Sequence, residues 1–167
     1  RHALVQDAAY ASLLKSDRNQ LHLATFQAFE QLYPDQTDER AATLAYHYEK
    51  AEDKERAAHY LRRAGDLARN RYANVEAIAF YQAAAKLVSQ ASEQSEQGRS
   101  VLAQLYEALG DLLEILGQHD ASKEHYDAVL SLVSSSEKIW RARIHRKTAN
   151  AGTALDERGE AFQNYAE

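Results

Sequence analysis

The stretch Tyr106-Glu107-Ala108-Leu109-Gly110-Asp111-Leu112-Leu113 places a glycine inside a run whose apolar residues return every three or four positions, the spacing of one helix face. Glycine in a helix interior costs about 1 kcal/mol relative to alanine. Its use at 110 points to a close crossing, where a side chain would hold two backbones apart. Gly117 follows at a turn, and Ser122-x₃-Tyr126 then sets a small residue four positions before a large one. Small facing large across two helices fixes how they cross. The segment predicts a helical hairpin with Gly110 in its seam.

The signature recurs outward from there. Leu61-x₂-Ala64-Gly65-x₂-Ala68 is followed by Ala77-x₃-Tyr81, and Leu44-Ala45-x₂-Tyr48 by Ala57-x₃-Leu61-x₂-Ala64. A weaker copy ends in Ala161-x₃-Tyr165. One proline, six glycines and abundant alanine in 167 residues favour helices throughout. Polar breaks divide the chain into about nine helices, expected at 3–15, 17–33, 38–51, 54–71, 74–89, 98–117, 119–133, 137–151 and 157–166. Ser16, Asp38, Asp53, Asn74 and Ser136 stand where N-caps are expected. Short connections make successive helices antiparallel neighbours, in either a bundle or a solenoid of hairpins.

The glycine and small–large positions resemble the tetratricopeptide pattern W-x₂-L-G-x₂-Y followed by A-x₃-F. That resemblance implies an all-α, right-handed solenoid of antiparallel helix pairs. The period is irregular, and the preferred pairing is 17–51, 54–89, 98–133 and 137–167, the last pair truncated. The opening Arg1-His2-Ala3-Leu4-Val5-Gln6-Asp7-Ala8-Ala9-Tyr10-x-Ser12-Leu13-Leu14, with Arg18-x₂-Leu21-His22, resembles the joint between ATPase core and repeat region in large bacterial signalling ATPases. His47-Tyr48-Glu49 and Ala57-Ala58-x-Tyr60-Leu61-x₂-Ala64-Gly65 resemble the first repeats of those proteins. Many of them carry a class III nucleotide cyclase or a DNA-binding regulator domain. The implied organisation is linking helices over 1–36, leading from an upstream domain, and repeats over 37–167. The implied role is an arm that restrains or releases an ATPase or output domain. The absence of methionine, an initiator included, also reads as a piece of a longer chain.

Residue chemistry points the same way. The chain has no cysteine, no phosphate-binding glycine loop and no H-E-x-x-H. The formal charge of −5 disfavours nucleic acid and anionic membrane surfaces as partners. No apolar run is long enough to span a bilayer. A cytoplasmic setting is the default, with no catalytic residue, metal or cofactor expected. His119-Asp120 opens a helix and reads as a cap. The ten tyrosines read as core and inter-helix packing.

Charge is segregated. Residues 107–127 carry a net −5, with Lys123 their only base, whereas 137–147 carry +4, with Glu137 their only acid. The plain expectation is complementary charge that helps one pair stack on the next. The sharper one is a polarised concave groove lined by Arg62, Arg69, Glu107, Asp111, Glu114, Arg143 and Arg146, docking a peptide or neighbouring domain. The functional expectation is a protein-binding, non-catalytic scaffold. Self-association of the parent protein as a homodimer is the alternative.

Overall fold

The computed structural model describes residues 2–92 and 95–166, with side chains except at 2–4, 6, 7, 91, 92 and 155–166. Among them the chain is helical with no strand. The helices are α1 (His2–Ser12), α2 (Lys15–Leu32), α3 (Ala41–Lys50), α4 (Lys54–Asn70), α5 (Asn74–Ser92), α6 (Glu96–Ile115), α7 (His119–Leu132) and α8 (Lys138–Ala166), with a 3₁₀ turn at Pro34–Gln36. Among the described residues there are eight α-helices, against about nine expected. The expected break over 156–159 is absent, because Asp, Glu and Arg are ordinary helix residues and one glycine costs too little to end a helix. The Ala161/Tyr165 signature falls outside the described side chains.

Each helix from α2 to α7 packs on the one that follows it. The seam of α4 and α5 repeats in that of α6 and α7, 45 residues on. Gly65 lies under the ring of Tyr81, whose OH donates to Asp66 Oδ1 at 2.6 Å. Gly110 lies under the ring of Tyr126, whose OH donates to Asp111 Oδ1 at 2.9 Å. Lys54, at the start of α4, donates to Gln90 near the end of α5 at 3.3 Å. With the Tyr81–Asp66 bond, this runs α4 and α5 in opposite directions.

The core runs along the chain in two clusters, with Tyr106 and Leu132 packed against both. A cluster from Phe26 on α2 to Leu112 on α6 includes Leu44, Tyr48, Ala57, Ala77 and Tyr81. A second joins Ala103, Tyr126, Val129, Val133 and Ile144, bringing α8 onto α6 and α7. Of the tyrosines, Tyr48, Tyr60, Tyr81 and Tyr126 are buried and Tyr106 is half-buried. Tyr10, Tyr33, Tyr46 and Tyr72 are exposed, against the packing role expected of them.

Only one expected N-cap holds: Asp53 Oδ1 accepts from the Arg56 backbone N–H at 3.0 Å. Ser16 lies within the first turn of α2, and Asp38 instead pairs with Arg63 across to α4. The helix expected from 38 starts at Ala41. Asn74 is already the first residue of α5, and Ser136 lies two residues before α8. Ser95, unforeseen, caps α6 by accepting from Gly98 N at 2.9 Å.

Three helices end alike. Glu52, Tyr72 and Gly117 adopt φ of 61°, 60° and 70°. The following N–H of Asp53, Ala73 and Gln118 then bonds back to Tyr48, Ala68 and Leu113, each at 2.9 Å. This left-handed closure favours glycine, which lacks the Cβ that strains it. Tyr72 occupies the place Gly117 takes 45 residues later, and it is 89% exposed, so its ring contributes little packing. Tyr72→Gly is expected to raise stability by about 0.5–1 kcal/mol, seen as a Tm higher by roughly 1–4 °C.

Candidate functional site

The helices α4, α6 and α8 present side chains to one shared face. Arg62 Nη1 on α4 donates to Gln104 Oε1 on α6 at 3.0 Å. Glu107 on α6 accepts from three groups of α8: Trp140 Nε1 at 2.7 Å, Arg143 Nη2 at 2.8 Å and Lys147 Nζ at 2.8 Å. Lys147 also donates to Asp111 Oδ1 at 2.5 Å. The pattern follows from helix spacing: Glu107 and Asp111 stand four apart on α6, as Arg143 and Lys147 do on α8.

Two hollows lie on this face. One of about 340 Å³ is lined by Arg69 of α4, by Gln104, Glu107, Ala108 and Asp111 of α6, and by Arg143 and Lys147 of α8. The other, about 1060 Å³, reaches from Arg62 along the first turns of α6 to Glu137 and Trp140. Of the seven residues expected to line a groove, five therefore meet on one face: Arg62, Arg69, Glu107, Asp111 and Arg143. Glu114 does not line these hollows; its Oε1 is 3.0 Å from His119 Nδ1. Arg146 is exposed and lines neither hollow. His119 is the first residue of α7 and its cap position is Gln118, so His119 is a partner of Glu114, not a cap. No family model, curated protein or solved structure matches this chain.

Glu107 and Asp111 are committed to the fold. Burial pushes the Glu107 carboxyl up, but the hydrogen bonds from Lys147, Arg143 and Trp140 outweigh it and hold the group below its usual value of 4.5. The Glu107 side chain is 13% exposed, against 49% for Arg143. Glu107 thus sits deep with Arg143 outside it, whereas Lys147 and Asp111 are covered to a similar degree. Arg62 and Arg69 form no ion pair with a carboxylate among the described residues, in contrast to Arg143 and Lys147.

Lys147 and Trp140 were not singled out from the sequence. Their signal was there: 140, 143 and 147 share one helix face, and two of the three are cationic opposite an acidic α6. Among the described residues no three histidines, aspartates or glutamates gather to hold a metal, and no helix is long and apolar enough to cross a membrane.

Proposed function

We propose that the chain is a non-catalytic protein-interaction module, a right-handed solenoid of antiparallel helix pairs that docks a carboxylate-bearing peptide or domain on the α4–α6–α8 face. One observation carries the reading. Glu107 and Asp111 on that face are already bound by α8, whereas Arg62 and Arg69 of α4 form no ion pair with a carboxylate among the described residues. A guanidinium is a planar fork of donors suited to carboxylates. The repeated Gly–Tyr–Asp seam, with its 45-residue offset, supports the solenoid. In the signalling ATPases that the sequence resembles, such an arm would restrain or release an ATPase or cyclase domain.

Peptide display on the immobilised chain tests this. Selected peptides are expected to be acidic, and to bind at least tenfold more weakly to an Arg62→Glu, Arg69→Glu variant. Raising the salt should weaken binding to the native chain as well. Peptides that bind both proteins equally, or no enrichment at all, would overturn the proposal. Circular dichroism and urea unfolding of the variant check that the fold survives the loss of the Arg62–Gln104 bond. Sedimentation of the chain alone separates out the alternative: a stable dimer would favour self-association.

A further inference from the structure

The arm formed by α1 and α2 is joined to the rest of the chain differently from the other helices. α2 buries a single residue, Phe26, whereas α4 buries seven. Its contact with α3 centres on two histidines. His22 Nδ1 on α2 lies 2.7 Å from His47 Nδ1 on α3. The far nitrogen of His22, Nε2, is 2.8 Å from the OH of Tyr10 on α1. The His47 ring packs on Phe26 with centroids 4.0 Å apart. One short chain of polar groups therefore links α1 to α2 and α2 to α3.

We propose that His22 and His47 form a proton-sensitive latch, holding the α1–α2 arm on α3 at neutral pH and releasing it on acidification. The proposal does not depend on the α4–α6–α8 face.

The stereochemistry sets the rule. Two facing ring nitrogens 2.7 Å apart need one proton between them, one nitrogen donating and the other accepting. In the neutral pair that condition is met. A first added proton still leaves one proton in the gap, but it charges a ring. A second puts N–H against N–H, and the bond is lost. The surroundings do not compensate for the charge. Lys50, on α3, is the charged group bearing on His22, and it is a cation. Arg18, on α2, lies over the Tyr10 ring at 5.3 Å and adds another. Glu52, which follows α3, is taken by Lys15 of α2 at 2.5 Å. Desolvation, with Lys50 for His22 and with His22 for His47, holds both rings below the ordinary value of 6.5.

The sign follows. A histidine held low when docked stabilises docking fully above 6.5, and that contribution is lost as pH falls toward the docked value. A released arm takes up protons that the docked arm refuses. Each such proton shifts the opening equilibrium by up to about tenfold per pH unit.

Hydrogen exchange on the full chain at pH 7.5 and 5.5, corrected for intrinsic rates, reads the opening directly. Protection of α2 amides is expected to fall at least fivefold more than that of α6 and α7. In His47→Asn, which can still hydrogen-bond His22 but cannot itself titrate, that extra fall should shrink by at least twofold, His22 alone remaining to take up a proton. Equal changes in all helices, or an undiminished fall in the variant, would overturn the latch. Should His47→Asn fail to dock its arm at all, a histidine NMR titration of the native chain decides. Coupled titration of His22 and His47 below the ordinary range supports the latch, and two independent ordinary titrations refute it.

Discussion

Tyr126→Ala is expected to cost about 3–5 kcal/mol, and Gly110→Ala about 2 kcal/mol. The second figure runs against helix propensity, which by itself would favour alanine by about 1 kcal/mol. The reason is the seam. A Cβ on Gly110 would lie 2.5 Å from Cε1 and 2.8 Å from Cδ1 of Tyr126. The ring cannot step aside. It is 2% exposed, with its OH donating to Asp111 and Lys147 Nζ 5.7 Å from its centroid. Burial, together with the acids Asp111 and Glu114, drives the Tyr126 hydroxyl well above its usual pKa, so it stays a proton donor. Truncating the ring removes a core side chain and leaves Asp111 with one donor fewer.

The two effects are coupled through one contact, which makes a double-mutant cycle decisive. With Tyr126 already alanine, the added methyl of Gly110→Ala meets no ring and recovers its helix propensity. The second substitution should then be neutral or stabilising by up to about 1 kcal/mol. Urea unfolding of the four proteins measures this. Strictly additive losses would mean that Gly110 is not there to admit the ring. Gly65 and Tyr81, with a Cβ approach of 2.6 Å, should give the same cycle.

That seam was legible because glycine in a helix interior is costly, so its presence marks a neighbour. The opposed charge of α6 and α8 was legible for a related reason, since the two segments carry net charges of opposite sign. What failed was judged from local polarity alone. Ser16 and Asn74 look like caps but lie inside first turns, where short polar side chains are tolerated at little cost. The run Asp156-Glu157-Arg158-Gly159 looks like a break, yet α8 continues through it. The His22–His47 pair was out of reach in a different way. The two residues are 25 apart, and nothing in either helix's periodicity shows that their rings meet.

Glu107→Ala is expected to loosen α8 from α6, at a cost of about 2 kcal/mol. One side chain holds three donors from α8, so its loss leaves the Trp140 indole N–H, Arg143 and Lys147 short of an acceptor at once. The penalty stays below that of a fully buried ion pair. Arg143 is half exposed and can turn to water, and Lys147 keeps its bond to Asp111. Trp140 is the single tryptophan of the chain, so its fluorescence reports this contact alone. Emission should shift to the red in Glu107→Ala, and Glu107→Gln, which retains one acceptor oxygen, should fall between the two. Acid should have the same effect on the native chain. A carboxylate held below 4.5 stabilises the folded form above that pH, and the contribution is lost as pH falls through the lowered value. The native emission should therefore move red only below about pH 4.5, while the alanine variant, already shifted, changes less. Emission unchanged by the substitution would mean that the apolar contacts of Ile144 and Val133 hold α8 in place unaided, and that the ionic cluster only decorates the seam.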